Sequence, residues 1–399
     1  MEITQITDVS SFYLYIYNNK YYFFFGDQHG SRNEGGCTTV TSSCDTLDDQ
    51  YNAMYYHQQC TSIALLLKNW FLYNKDHQIK TDFYVEAAFT KQNIRPSSTI
   101  GSWLQVMPTL MPHCFIKDKT QCFYYPYIHA HYMDIRSMDD KNVDPFDIHL
   151  LRVLLNKNPP KDEKQFLVMK NTYLFIINTL VDNIKVIINA LINPDADFIK
   201  IINDLLLLKD KCKTKICRDQ FNTFQNILDT AVTRDGKKMF RAAAELRKLQ
   251  HMDSHLANLI YQYYHNILNI QISHIQKSVS NDLLALVDIK FDWLPIPIAI
   301  DIIKSIINKL ESQFLILSSI PMDVYMLSRM FLQNESQQII VYAGTHHVKY
   351  YAEFFNMALK CDSTIAMPYI IDKRCLESNL LPNYLPADIY RQYALNKNL

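Results

Sequence analysis

The sequence predicts an α/β fold, in which a central and mostly parallel sheet of βα units carries a large all-helical insertion. Strand-length apolar runs end at Gly26 and at Gly344, near the two ends of the chain, and segments with helical periodicity accompany them. Between these regions the helical pattern is nearly uninterrupted. We therefore expect the N-terminal half of the α/β core over 1–146, a helical insertion or cap over 147–319, and the C-terminal half of the core over 320–399.

Composition excludes several classes of protein. The 399 residues are 48% hydrophobic, enough for a large core, and 40 basic residues balance 40 acidic ones. Because no stripe of Lys and Arg is visible, neither nucleic acid nor an anionic membrane is an expected partner. The nine cysteines form no CxxC pair, which predicts reduced thiols. The first residues lack a signal pattern and the longest apolar stretch, 173–192, contains charged residues, so we expect a cytoplasmic protein.

The first predicted elements form a hairpin followed by a long loop. Strands over 12–17 and 21–25 flank an Asn-Asn-Lys turn at 18–20. The polar stretch over 30–49 has the composition of a loop, and long loops at a sheet edge often bind ligands.

A helix and two more strands complete the N-terminal half. Apolar positions at helical spacing predict a helix over 63–70, and a short strand then ends at Glu86. Residues 127–133 alternate in polarity, which places His129 and His131 on one face of a strand.

The middle of the chain is predicted to be helical, with prolines at helix boundaries. Four stretches carry the helical pattern: 166–192, 198–208, 239–268 and 296–317.

The last 80 residues return to the α/β pattern. Pro321 is expected to open a helix with Asp323 near its start. A buried strand over 339–343 follows, and the next amphipathic helix is expected to have Thr345 or His346 as its N-cap.

Two Gly-x-x-His motifs, at 26–29 and 344–347, follow the strands that are expected to be buried on both faces. Each histidine would project from the carboxyl edge of the sheet, where open α/β sheets bind ligands. His347 also falls in a first helical turn, where the dipole favours the neutral imidazole that binds metals. Because divalent ions combine imidazole nitrogen with carboxylate oxygen, the candidate metal ligands are His29, Glu86 and His347.

Two further sets of polar residues lie on the predicted strand over 127–133 or directly after it. Asp134 and Arg136 share a face and form either a structural ion pair or a substrate site, in which Arg136 binds a carbonyl, carboxylate or phosphate and Asp134 orients a ligand. His129 and His131 are a rival metal pair, although on a half-exposed strand such pairs more often face solvent.

This set of residues resembles a known superfamily, the TIKI/TraB/PrgY proteins together with the erythromycin-esterase-like and ChaN-like proteins. The hallmark of that superfamily is two Gly-x-x-His motifs, a glutamate and an arginine, each at a strand end. The motifs at 26–29 and 344–347 and the glutamate Glu86 are similar to it. The Asp-Val-Tyr-Met segment at 323–326 is similar to the Asp-x-Tyr-Met segment of TraB-type members.

The resemblance covers roughly the first 140 and the last 80 residues. The segments at 134–136 and 342–347 also resemble uncharacterised proteins of large DNA viruses, and for a viral protein the expected location is the host cytoplasm or the virion. The superfamily resemblance implies βα units with a site between the two halves. Within the superfamily some members are metal-dependent peptidases, some hydrolyse esters, one binds haem and several have no shown activity. Arg136 and Arg329 both compete for the arginine of the pattern.

The leading expectation is a metal-dependent hydrolase of peptide, amide or ester bonds, acting on a small molecule or peptide. A divalent ion (Mn, Co or Zn) on His29, Glu86 and His347 would activate water. Arg136 would stabilise the oxyanion and Asp134 would orient a ligand. An alternative in the same site uses one histidine as a metal-free general base. The rival from another class is a non-catalytic interaction protein, perhaps viral, whose helical region binds a protein partner.

Overall fold

A computed structural model of the chain describes residues 5–7, 9–27, 60–88, 122, 125–134, 156, 159–171, 174, 178, 253–278, 281, 295–332, 335–367 and 375–377. In chain order its elements are β1 (Gln5–Thr7), β2 (Ser11–Tyr17), β3 (Lys20–Asp27), β4 (Cys60–Ser62), α1 (Ile63–Asp76), β5 (Thr81–Ala88), β6 (Ile128–Asp134), α2 (Ser254–Ser278), α3 (Ile296–Leu332), β7 (Gln338–Gly344), α4 (Thr345–Met357), β8 (Ile365–Met367) and β9 (Cys375–Glu377).

The chain divides into two compact units. The first combines Met1–Asp134 with Arg329–Leu399, and the second is Ile135–Ser328. The first unit therefore brings together segments that nearly 200 intervening residues separate in the sequence.

The first unit is built on a mixed six-stranded sheet with the order β6-β5-β7-β3-β2-β8. The four strands β6, β5, β7 and β3 are parallel to one another, whereas β2 is antiparallel to both β3 and β8. With the helices this is an α/β-type arrangement, as the sequence predicts. A smaller sheet, β4-β1-β9, consists of three-residue strands that the sequence pattern does not indicate.

The predicted hairpin is confirmed. Tyr17 pairs with Lys20, so Asn18 and Asn19 alone form the turn between β2 and β3. Both have positive φ, 50° and 61°, as a type I′ turn requires, and asparagine is one of the few residues that tolerate this conformation.

One face of the sheet is apolar and is covered by α1, which confirms the helix predicted from its apolar spacing. The ring of Trp70 lies 4.7 Å from that of Phe23, and the ring of Phe71 lies 5.1 Å from that of Phe83. All four side chains belong to the buried core of the unit.

The opposite face carries α4 and a row of polar residues. Phe355 of α4 packs its ring 4.8 Å from Tyr15 and 5.3 Å from Phe24, and the Tyr15 hydroxyl donates to the carbonyl of Ala352 at 3.1 Å. Because side chains alternate along a strand, β5 points Phe83 and Val85 into the apolar core and turns three polar side chains to this face. They are Asp82, Tyr84 and Glu86.

The described elements of the second unit are helices. They include residues 163–171, α2 and most of α3. Along α2 the buried side chains recur every three or four residues, as on one face of a helix: Ile260, Tyr264, Leu268, Ile272 and Ile275.

Helix α3 corrects two expectations. It begins at Ile296, immediately after Pro295 as predicted, but it continues through Pro321 to Leu332 instead of restarting there. Proline inside a helix costs about 3 kcal/mol, and burial of Leu317, Ile320 and Val324 on successive turns offsets this cost. Asp323 is therefore a fully buried residue within a helix and not a residue near a helix start.

The expectation that all cysteines are reduced thiols is wrong for Cys122, which is disulfide-bonded and 1% exposed. Cys361 is a free thiol. The spacing of cysteines along the chain does not show which of them the fold brings together, and this is why the pattern failed.

Within the described ranges, no helix combines the length and the apolar character needed to cross a membrane.

Candidate functional site

The sheet places the first residues of the two Gly-x-x-His motifs, Gly26 with Asp27 and Gly344, at the ends of neighbouring strands. Strands β3 and β7 are parallel and paired from Tyr21–Gln338 to Asp27–Gly344, so the first motif begins beside the second. Strand β5 lies on the other side of β7. The strands that carry the first motif, the second motif and Glu86 are therefore three consecutive strands with their carboxyl ends at one edge.

Glu86 and His347 are in contact at this edge. Oε1 of Glu86 lies 3.3 Å from Nε2 of His347, and the two side chains are only 9% and 8% exposed. The other carboxylate oxygen, Oε2, accepts the backbone N–H of Gly344 at 2.6 Å. One carboxylate thus binds both the backbone and the histidine of the second motif.

The end of β5 explains how Glu86 reaches this position. The backbone pairing of β5 with β7 ends at Val85–Tyr342, whereas β5 itself continues to Ala88 with a shift of register against β6. The expectation that the strand ends at Glu86 is therefore wrong by two residues. Beyond the last paired residue, the carboxylate of Glu86 takes the place of a strand carbonyl as the acceptor for Gly344 N–H.

The start of α4 fixes the orientation of His347. The N-cap is Gly344, and not Thr345 or His346 as expected, so His347 is the third helical residue and lies in the first turn. Its ring is roughly parallel to that of Tyr351 one turn later, with centroids 6.5 Å apart. The neighbouring His346 is exposed.

A hydroxyl network joins the two motifs and was not predicted from the sequence. Thr345 Oγ1 donates to the carbonyl of Asp27 at 3.0 Å and lies 2.7 Å from Ser10 Oγ. The backbone N–H of Ser10 donates to the carbonyl of Gly26 at 2.8 Å. Serine and threonine at strand ends are too common to signal such a network. Its effect is to hold the end of β3 against the first residue of α4.

Gly26 is required by close approach. A Cβ atom at this position would lie 2.0 Å from Ser11 Oγ and 3.1 Å from Thr345 Cα. Since real Cβ atoms do not approach other heavy atoms to 2.0 Å, a larger residue forces either Ser11 or α4 to move.

For the other three predicted site residues, the structure describes no side chain. His29 and Arg136 lie outside the described residues. Asp134 is the last residue of β6 and pairs with Ala88, but its side chain is not described. Of the five predicted residues, the structure thus brings Glu86 and His347 together.

The rival histidines form a different cluster, near the amino ends of the parallel strands. Nε2 of His131 donates to Oδ1 of Asp82 at 3.0 Å, and Nδ1 of His129 lies 3.5 Å from the same oxygen. Oδ2 of Asp82 accepts a hydrogen bond from Ser336 Oγ. His131 is buried, so the expectation of a solvent-facing pair is wrong for it.

Burial and hydrogen bonding set the charges of this cluster. Burial alone would raise the pKa of Asp82, but the hydrogen bonds from His129, His131 and Ser336 hold that pKa far below its usual range. The hydrogen bond to Asp82 raises the pKa of His129. Burial lowers the pKa of His131, and the charge of Arg329 lowers it further.

Arg329, one of the two arginines that compete for the superfamily pattern, thus acts electrostatically on His131. Among the described residues, no group of three or more His, Cys, Asp or Glu side chains has the arrangement of a metal site.

Comparison of the chain with protein-family models, with curated protein sequences and with solved structures finds no match.

Proposed function

We propose that the chain is a hydrolase of peptide, amide or ester bonds, with a divalent metal ion held by His29, Glu86 and His347. The observation that carries the proposal is the buried contact between Glu86 and His347, 3.3 Å apart, beside the strand on which the first motif begins. The superfamily resemblance of the sequence points to the same chemistry.

The geometry of the pair fits shared coordination. Ligand bonds of about 2.0–2.1 Å in a tetrahedral site put neighbouring donor atoms roughly 3.3 Å apart, which is the separation of Glu86 Oε1 from His347 Nε2. The bond from Gly344 N–H to Oε2 fixes the carboxylate, as the outer hydrogen bonds of metal sites do. A third donor is needed, and His29 stands two residues beyond Asp27, the partner of Gly344.

His29, Glu86 and His347 would hold the divalent ion, which would supply an activated water and a Lewis acid for the carbonyl. Glu86 and His347 provide a fixed, desolvated pair of donors, and the Ser10–Thr345 network holds Gly26 and Asp27, the first two residues of the first motif. Arg136 stabilises the developing oxyanion and Asp134 orients a ligand. In this proposal the loop over 30–49 contributes to substrate choice.

The same pair supports a second candidate, a metal-free hydrolase. A buried carboxylate 3.3 Å from an imidazole is the arrangement in which an acidic residue orients a histidine that acts as general base. In that case Glu86 orients His347 and no ion is needed.

One experiment separates these candidates. Hydrolysis of p-nitrophenyl acetate and of chromogenic peptide amides is measured with and without a chelator, followed by addition of Mn²⁺, Co²⁺ or Zn²⁺. The first proposal expects activity that is lost with chelator and restored by metal; the second expects chelator-resistant activity. In both, His347→Ala and Glu86→Gln are inactive and the control His346→Ala, at the exposed neighbour, is active. If the wild type neither binds metal nor hydrolyses any of these substrates, both hydrolase candidates are overturned and the non-catalytic alternative is favoured.

A further inference from the structure

The cluster around Asp82 is independent of the candidate hydrolytic site. Asp82 is the second residue of β5 and is fully buried. Its carboxylate contacts both histidines of β6 and accepts a hydrogen bond from the hydroxyl of Ser336, which precedes β7. Strand β6 is at the end of the six-stranded sheet. A single carboxylate thus connects the outermost strand to β5 and to the segment leading into the central strand β7.

The two histidines have different surroundings. His131 is buried and stacks on Tyr84, with ring centroids 4.6 Å apart and planes 20° apart. His129 has a side chain that is 37% exposed, so its imidazole exchanges protons with water. An ionised carboxylate in contact with both rings favours protonation of one of the two imidazoles to the imidazolium form. The more exposed ring accepts this proton at a smaller desolvation cost.

Other charges face the cluster from every neighbouring element. Lys20 on β3 interacts with Asp82, and Arg329 at the end of α3 interacts with His131. Lys80 and Glu335 form an ion pair at 2.7 Å, and their opposing effects on His129 leave Asp82 as its main partner.

We propose that Asp82, His129 and His131 form a pH-sensitive contact that fastens the edge strand β6 to β5 and to the segment before β7. The contact is complete when His129 is protonated, His131 is neutral and Asp82 is ionised. Loss of the proton from His129, or gain of a second proton by His131, weakens it.

The sign of each effect follows from the direction of the shift. Because the pKa of His129 is raised above its ordinary 6.5, its contribution is fully present below pH 6.5 and is lost as the pH rises through the raised value. Because the pKa of His131 is lowered below 6.5, its contribution is present above pH 6.5 and is lost as the pH falls through the lowered value. The contact is therefore strongest around pH 6.5, between the two values.

The test uses NMR on the full chain. The imidazole signals of His129 and His131 are titrated, and protection factors for amide exchange in β6 are measured at several pH values. We expect one histidine to titrate above 6.5 and the other below it, with maximal β6 protection between the two pKa values. In Asp82→Asn the pKa of His129 falls and the protection of β6 loses its maximum, whereas the matched control Asp76→Asn, at an exposed aspartate, behaves as wild type.

A second variant keeps the test decisive if Asp82→Asn does not fold. In His129→Asn the amide donates to Asp82 without titrating, so β6 protection no longer declines at alkaline pH but still declines in acid. The proposal is overturned if both wild-type histidines titrate together near 6.5, or if β6 protection is the same at all pH values.

Discussion

At the scale of single residues, the candidate site depends on a carboxylate and an imidazole that are far apart in the sequence. Glu86 and His347 could be selected from the sequence because each follows an apolar run, where a strand is expected to end. Asp82 and Ser336 could not, because an aspartate inside a strand and a serine before one carry no pattern. Their hydrogen bond joins residues 254 positions apart and exists only once β5 and β7 are paired.

The crowding at Gly26 gives a prediction at this scale. Gly26→Ala should lower the free energy of unfolding by about 1–3 kcal/mol, because the added Cβ would lie 2.0 Å from Ser11 Oγ and 3.1 Å from Thr345 Cα. Urea denaturation of the full chain measures the change.

Ser11 offers the control for this substitution. Its hydroxyl is buried and has no hydrogen-bond partner among the described residues, so Ser11→Ala alone should cost little. In the double variant that combines Ser11→Ala with Gly26→Ala, most of the loss in free energy of unfolding caused by Gly26→Ala should disappear. If Gly26→Ala is as stable as the wild type, or if the Ser11→Ala background changes nothing, the described packing of this strand end is incorrect.

At the scale of elements, the sequence was informative where a periodic pattern was long. The hairpin β2–β3, helix α1 and the β7–α4 unit follow from apolar runs, helical spacing and turn residues. The three-residue strands β1, β4, β8 and β9 are too short to show alternation, so only their tertiary pairing defines them. Pro321 does not begin a new helix as its local chemistry predicts, because burial along α3 outweighs the cost of a proline inside the helix.

The turn of the hairpin gives a prediction for an element. Asn19 has φ 61°, a conformation that costs a residue with an ordinary side chain about 1–2 kcal/mol. Asn19→Ala should therefore lower the free energy of unfolding by about 1 kcal/mol, whereas Asn19→Gly should leave it unchanged or raise it slightly. Thermal or urea unfolding of the two variants provides the measurement, and equal stability of both would argue against a type I′ turn.

At the scale of the whole molecule, the decisive feature is the position of β7 between β5 and β3. The last segment of the chain therefore completes a sheet whose other central strands come from the first 134 residues. A buried apolar run late in the sequence indicated a strand but did not reveal its neighbours, since the same pattern suits any interior position of a parallel sheet.

Truncation tests this arrangement. A chain that ends at Leu332 lacks β7, so β5–β6 and β2–β3 lose their common neighbour and the first unit should not fold cooperatively. A chain that ends at Met367 keeps all six strands of the larger sheet and serves as the control. Near-UV circular dichroism and limited proteolysis compare the two. A Leu332-terminated chain with native-like signals and resistance would contradict a central role for β7.

The proposed function requires that the first and second Gly-x-x-His motifs contribute to one metal centre together with Glu86. The most direct measurement is titration of the full chain with Co²⁺, followed by the visible absorption bands of four-coordinate cobalt. We predict that the wild type and His346→Ala bind one equivalent with these bands, and that His29→Ala, Glu86→Gln and His347→Ala each lose them. Unchanged cobalt binding in His29→Ala, or no binding by the wild type, would contradict the shared centre.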